Sequence, residues 1–428
     1  MEVNQIVLFL CLIALAGLIF KIPELGLVLC LVAGSLFKGM VQPLLGAIDI
    51  TVYLFAITYG SIFIRCSMER RLGLPDLRVN MGVLLLVTIL LASLLYTPLP
   101  RQGSDMLLRF IFLTISIMYV TFMWCTNISR IKRLLFIFTG ILLTYGTAAF
   151  VWVFLVRQEF HFDSRAIFPE TPPISVAQLL AAGIFTAFIL RSFIRSKYKK
   201  LTLDLLMIMG AIELIALNCR GPLIAFLVGG FCLFFLYSTK EKSRVVFLAP
   251  IVLAVMVLAF TLLPSQYTGR YALITQLESS TIAARVDMWR FAAGHFSDWF
   301  FTGAGIFGFA YYYYPGQGEF SIWGAYPHNI FLDVFATAGF FGFLAFVWLI
   351  GSLIYKGIKI SHTREQSFHL LGLATTVPLI TFLVAGLFSM SIIGTRDLWF
   401  FGGLILSLER WWRKRDKESI AYPLKVKE

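Results

Sequence analysis

Long, uninterrupted apolar runs dominate this chain. Leu134 to Val156, Val245 to Leu263 and Met81 to Thr97 carry no charged side chain at all. Clean runs near 20 residues are what a helix needs to cross the hydrocarbon core of a bilayer. The same pattern predicts spans at 4–20, 22–38, 43–64, 81–97, 107–126, 134–156, 175–193, 201–217, 222–238, 245–263, 328–355, 368–394 and 398–408. The first two are separated only by Lys21, and the last is about half the length needed to cross. The expected architecture is therefore all-α and polytopic, with about 12 to 13 transmembrane helices in a single integral membrane domain over residues 1–428. One connection breaks the rhythm. Residues 264–327 form a loop of about 60 residues, far longer than ordinary connections, and loops of that kind tend to carry function.

The loop has its own pattern. Ile282, Val286, Met288, Trp289, Phe291, Ala292 and Phe296 recur at helical spacing, which predicts an amphipathic helix over Thr281 to Phe300. Gly303, Gly305 and Gly308 then interrupt the chain, and Tyr311 to Tyr314 with Trp323 suit a membrane interface.

Composition supports this reading. Of 428 residues, 59% are hydrophobic and only 14% charged, more apolar surface than a soluble domain can hide. The formal charge of +13 would suggest nucleic acid in a soluble protein, but nothing here resembles a nucleic-acid module. The basic residues instead collect in 65–78, 130–133, 191–200, 240–244, 356–364 and the tail from Arg410, which alternate along the chain. By the positive-inside rule these segments are cytoplasmic. The opposite face then receives 98–106, 157–174, 218–221, 264–327 and 395–397. The side of the N-terminus depends on whether the spans number twelve or thirteen. Met1 to Phe20 lacks a basic start and a cleavage signal, so it reads as a retained helix. Cys11, Cys30, Cys66, Cys125, Cys219 and Cys232 form no Cys-x-x-Cys pair, and neither a disulfide nor a zinc site is expected.

Topology sorts the candidate chemistry. His362 and His369 fall on the cytoplasmic side, and His161, His295 and His328 on the other. His328 sits where the long loop runs into an apolar helix, in Tyr326-Pro327-His328-Asn329, and ionisable groups at membrane depth are usually functional. A helix-capping role is the plainer alternative for it. Arg220 lies in the short turn Asn218-Cys219-Arg220-Gly221-Pro222. Glu213, seven residues earlier, reads as lying on the same helical face and as its natural partner. Arg285 and Arg290 on the amphipathic helix, with Arg270 upstream, could complete an anion site, since the planar guanidinium fork suits phosphate. The outer loops show no Asp-x-Asp or other paired carboxylate, so no divalent-metal site and no cofactor are expected.

These segments resemble the O-antigen ligase and polymerase superfamily of bacterial membrane glycosyltransferases. Asn218-Cys219-Arg220-Gly221 resembles its arginine turn. Ala284-Arg285 with Met288-Trp289, running on to Gly303-Ala304-Gly305, resembles its loop block. His328-Asn329, followed by Gly339 and Gly342, resembles its last block. Asp298-Trp299 departs from the pattern, which often has a proline before the Gly-x-Gly. The resemblance covers about residues 210 to 345. It implies an inverting, metal-independent transfer of a glycan from an undecaprenyl diphosphate to an acceptor sugar hydroxyl, at the outer face of the bacterial cytoplasmic membrane. For such a transfer, imidazole chemistry suits His328 as catalytic base, with Asn329 in support, and guanidinium chemistry suits Arg220, Arg285 and Arg290 on the diphosphate, supported by Glu213 and Arg270. The expected partners are the lipid-linked donor, a lipid A-core or other glycan acceptor and membrane lipids, with no nucleic acid. Ligation onto lipid A-core is the first expectation and polymerisation of repeat units the alternative within the family. A lipid or solute transporter is the alternative of another class, disfavoured because the ionisable groups gather at one face and no internal repeat is evident.

Overall fold

The structure, a computed structural model, describes residues 3–45, 49–70, 73–157, 167–168, 171–237, 280–315 and 326–421. The expected span 245–263, together with His161, Arg270 and Trp323, lies outside them. The described residues are helical and contain no strand: α1 (Val3–Lys21), α2 (Pro23–Leu36), α3 (Lys38–Leu45), α4 (Ile50–Met68), α5 (Leu77–Ala92), α6 (Pro100–Arg109), α7 (Ser116–Trp124), α8 (Ile128–Val151), α9 (Pro173–Leu190), α10 (Lys197–Ala216), α11 (Arg220–Leu236), α12 (Ser280–Gly294), α13 (Phe296–Trp299), α14 (Gly308–Tyr313), α15 (Ile330–Ser361), α16 (Gln366–Ser389) and α17 (Arg396–Ala421). This is an all-α polytopic membrane protein. Seven of these helical segments are long and apolar enough to cross a membrane, and three shorter apolar helices accompany them.

Two expectations about the elements change. The final apolar stretch 398–408 is the first part of a helix that runs on to Ala421. Its hydropathy ends where Glu409 and Arg410 begin, but its hydrogen-bonded backbone does not. The expected amphipathic helix over 281–300 is two helices, α12 and α13, hinged at His295. That histidine is not without neighbours, because its ring stacks on Trp299 at 4.8 Å and lies 4.3 Å from Phe291.

Helix α16 is the centre of the bundle. It packs against α9, α11, α15 and α17, and its residues from Phe368 to Phe382 are almost entirely buried. Around it the bundle has two distinct ends. One end gathers the basic segments. Lys356 is held between Asp76 and Glu409, Arg413 joins Glu409, Arg415 meets Glu365, Arg130 reaches Glu69 at 3.3 Å, and Arg133 reaches the buried Glu24 at 3.4 Å. The opposite end collects residues 93–115, 171–178, 300–315, 326–337 and 389–397. There the Thr97 hydroxyl donates to the Ile306 carbonyl at 2.8 Å, Gln178 donates to the Ser389 hydroxyl at 3.1 Å, and the Ile392 N–H donates to the Asp333 carboxylate at 2.9 Å.

Between α6 and α7, residues Phe110–Ile115 form a π-helical turn. Such turns insert a bulge into a helix and recur at functional sites. Here the turn lets the Thr114 hydroxyl donate to the Ile393 carbonyl at 2.5 Å, which ties α6 and α7 to the loop before α17.

Candidate active site

The last motif block is built on a broken helix. Within α15, Gly339 has φ 64° and ψ −165°, a region of backbone space essentially reserved for glycine. The break removes the ordinary helical bond from the Phe340 N–H to the Ala336 carbonyl. Both groups find partners in the loop block instead. Phe340 N–H donates to the Phe300 carbonyl at 2.7 Å, and the Ala304 N–H donates to the Ala336 carbonyl at 2.7 Å. Backbone polar groups inside a membrane must be satisfied within the protein, and this clasp does so. It also explains the paired glycines. At Gly303, with φ 73°, a Cβ would stand 2.6 Å from the Thr337 carbonyl carbon, and at Gly339 it would stand 2.4 Å from the Phe301 oxygen. The two backbones meet with no room for side chains, so Gly303 and Gly339 are one structural device 36 positions apart (339 − 303).

The clasp fixes the start of α15. Asn329 caps it, its side chain accepting from the N–H groups of Phe331 and Leu332 at 3.0 and 3.2 Å. The capping role belongs to Asn329, which leaves His328 free of that duty. His328 instead adopts a left-handed backbone with φ 53°, a conformation that costs about 1–3 kcal/mol and tends to persist at functional sites. Trp289 on α12 holds the segment in place, its indole N–H donating to the Pro327 carbonyl at 2.8 Å. The Tyr326 ring lies 4.3 Å from the imidazole, and its hydroxyl donates to the Ser389 carbonyl at 3.5 Å. Among the described residues, His328 Nδ1 is buried without a hydrogen-bond partner. An orphaned buried polar group costs about 1–3 kcal/mol.

Charge completes the picture. Burial first, and the positive charge of Arg285 second, depress the His328 imidazole to about 4. Burial raises the Tyr326 phenol to about 12, with Arg285 pulling the other way. Arg285 is therefore the cation whose field reaches this stretch. Arg290 is exposed and paired with Asp287 at 3.6 Å. Arg220 begins α11, and its neighbour Gly221 packs against Phe388 at the end of α16, next to the Ser389 that meets Tyr326. The arginine turn and the histidine stretch thus meet across the last turn of α16.

The expected pairing of Glu213 with Arg220 is not what the structure shows. Among the described residues, both Glu213 carboxylate oxygens are buried with no hydrogen-bond partner, and the side chain packs beside Gly146 of α8. The physical reason is local. Helix α10 ends at Ala216, Asn218 turns left-handed with φ 55°, and Arg220 starts a new helix. The seven-residue face argument requires one continuous helix, and there are two.

A cavity of about 470 Å³ opens beside the histidine stretch. Tyr326, Asp333 and Thr337 form one wall, and Gln178 and Ser389 contribute another part. Lys38, Asp49, Arg109, Arg396 and Asp397 line the rest, contributed by segments far from the motif blocks. Lys38 pairs with Asp49 at 2.6 Å, and although burial opposes it, that bond holds the Asp49 carboxyl below its ordinary range.

A family model described as O-antigen ligase matches residues 205–347. Over those residues the chain is similar to the O-antigen ligase superfamily. The matched segment contains Arg220, Arg285, the Gly303–Gly339 clasp and His328, so the blocks of the O-antigen ligase pattern are also the parts that the fold draws together at one end of the bundle. The match supports a function of O-antigen ligase or polymerase type. No curated protein matches the chain significantly.

Proposed function

We propose that this O-antigen ligase relative transfers a glycan from a polyprenyl diphosphate, undecaprenyl diphosphate in bacteria, to a sugar hydroxyl of the acceptor, with inversion and without a divalent metal. The observation that carries the reading is the strained His328, pinned by Trp289 and Asn329 in the field of Arg285. In this mechanism His328 takes the proton of the acceptor hydroxyl as its oxygen attacks the anomeric carbon. The bond from that carbon to the diphosphate oxygen breaks, and the leaving diphosphate keeps the electron pair. Arg285 and Arg220 offset its charge, the role that a metal plays in other transferases. Arg290, exposed and already paired, has at most an outlying part, and Glu213 none.

The depressed imidazole suits this sequence of events. In the empty site His328 is unprotonated and ready to accept. A diphosphate bound at Arg285 cancels part of the positive field and adds negative charge, both of which raise the imidazole toward the range where a general base works best near neutral pH.

The positive-inside pattern supports a site facing away from the cytoplasm, because the basic segments collect at the other end of the bundle. On that orientation the acceptor is lipid A-core in a ligase, or the next lipid-linked repeat unit in a polymerase. The deciding assay uses purified protein, a polyprenyl-diphosphate glycan and each acceptor in turn, in excess chelator. Transfer to lipid A-core supports the ligase and transfer only to lipid-linked repeats the polymerase. Activity lost in chelator and restored by magnesium or manganese rejects the metal-free mechanism.

A further inference from the structure

We propose that the 470 Å³ cavity beside Tyr326 is the acceptor site, and that Arg396 and Asp397 on its wall select a neutral sugar ring over an anionic one. This rests on the glycosyl transfer proposed above. Three observations carry it.

The first is position. Tyr326 lines the cavity and touches the imidazole, so a hydroxyl presented from the cavity arrives beside His328. The second is size and chemistry. The volume falls within the roughly 300–1,000 Å³ of small-ligand sites. Gln178, Thr337, Ser389 and Ser391 supply uncharged hydrogen-bonding groups of the kind that meet sugar hydroxyls.

The third is charge balance. The lining holds Lys38, Arg109 and Arg396 against Asp49, Asp333 and Asp397, so the cations are matched by acids. Two of the acids have internal partners: Asp49 is bound by Lys38, and Asp333 by the Ile392 N–H. Arg396 rests its guanidinium over the Phe55 ring at 5.2 Å, beside Gly34. A guanidinium fork and an adjacent carboxylate offer donors and acceptors together, which suits neighbouring hydroxyls that each give and take a hydrogen bond. An anionic sugar would instead give up its hydration in a lining with no excess positive charge to receive it, a cost that a neutral ring does not bear. The histidine side of the site, reached by the field of Arg285, has the opposite bias. The two substrates are thereby sorted by charge before they meet.

The test compares two lipid-anchored oligosaccharide acceptors, one ending in a neutral hexose and one in the matching uronic acid, with the same polyprenyl-diphosphate donor. Wild-type protein should favour the neutral acceptor by about tenfold or more in kcat/KM, the scale of one charge-assisted contact. Asp397→Asn should relax that preference, and Arg396→Gln should raise the acceptor KM about tenfold, with the donor KM unchanged in both. Gln178→Leu, on a different helix, should raise the acceptor KM without altering the charge preference, and serves where the other variants fail to fold. Unchanged acceptor KM in every folded variant, or a rise in donor KM instead, overturns the acceptor site while leaving the transfer reading intact. A wild-type protein that transfers glycan to neither acceptor, nor to lipid A-core or repeat-unit acceptors, overturns both.

Discussion

The two ends of this bundle treat charge and backbone strain in opposite ways. At the basic end, acids and cations are matched in close pairs: Lys356 with Glu409 at 2.6 Å, Arg191 with Asp204 through two bonds at 2.6 and 2.8 Å, and Arg133 with Glu24. At the other end, charged groups line a cavity, while among the described residues each end keeps one orphaned imidazole nitrogen, His328 Nδ1 here and His369 Nε2 there. Strain follows the same division. Among the described residues, every positive-φ position except Arg70 lies at the cavity end: Asn218, Gly303, Gly305, Phe307, His328 and Gly339. Matched pairs and relaxed backbone are what folding alone favours. Left-handed residues raise the energy of the folded state, and they tend to persist where a ligand makes use of them. The contrast in strain therefore supports placing the proposed site at the cavity end.

The sharpest way to break this comparison is at His328. His328→Ala should lower turnover by about 10²–10⁴, the usual contribution of a general base, while donor binding is nearly retained. Alanine is itself strained at φ 53°, so His328→Asn is the control, since asparagine takes left-handed backbone readily. Donor affinity and single-turnover transfer should show both variants folded, donor-bound and slow. Wild-type rates in either variant would return His328 to a structural role.

Gly339→Ala probes the clasp. The substitution places a Cβ 2.4 Å from the Phe301 oxygen in a glycine-only conformation. The 299–304 segment must then move, and its Trp299 and Ala304 pack under α12. The expected outcome is loss of most activity together with reduced folded yield, read by transfer assay and size-exclusion profile. A fully active Gly339→Ala protein would show that the clasp does not position the site.

Lys356→Met is the matching test at the basic end. Lys356 is 9% exposed between two carboxylates, and breaking a buried ion pair costs about 3–5 kcal/mol because a charge is left stranded. Thermal stability in detergent should fall, while the folded fraction keeps wild-type kcat. A change in kcat with unchanged stability would erase the functional distinction between the ends.

Much of this was legible in the sequence, and for identifiable reasons. Apolar run length fixes helices whatever their partners, so α8, α9 and α16 were evident from pattern alone. His328, Arg220 and Arg285 could be picked out because each is a charged or titratable residue placed beside an apolar helix. What could not be read is what depends on distant segments meeting. The Gly303–Gly339 clasp joins two backbones, and no local pattern reports that each glycine serves the other. The cavity draws Lys38, Asp49, Arg109 and Arg396 from four separate places. Arg109 and Asp333 did carry a signal, since each is an ionisable group at the edge of an apolar span. Continuity was the other failure. An apolar run that ends at Leu408 hid a helix reaching Ala421, and a periodic run across 281–300 hid the break at His295.

The pH profile sharpens the comparison further. With the free-enzyme imidazole at about 4, His328 is unprotonated from roughly pH 5 upward, so the acid limb of kcat/KM should lie below about pH 5. Arg285 disfavours the imidazolium. Arg285→Ala should therefore raise the imidazole and move the acid limb to higher pH, though not beyond 6.5 while burial persists. The variant should also bind donor more weakly, and lysine should restore binding only in part because it lacks the fork. An acid limb that stays put in Arg285→Ala would detach the arginine from the histidine.

The smallest effect is expected at Glu213, and its smallness is the point. A carboxylate inside a membrane helix near an arginine turn reads as that arginine's partner, and on such a reading Glu213→Gln would be a mild copy of the Arg220 defect. The structure breaks the helix between them at Asn218 and packs the Glu213 side chain beside Gly146 of α8. Glutamine keeps the shape and removes only the ionisable proton, so donor affinity and transfer should both stay within about twofold of wild type, the spread of a neutral substitution. Arg220→Ala, measured alongside, should weaken donor binding by about tenfold or more through loss of a charge-assisted contact. If the two variants instead fail together and in proportion, Glu213 does orient Arg220 when the donor is bound, and the left-handed turn at Asn218 is a hinge that closes on the substrate.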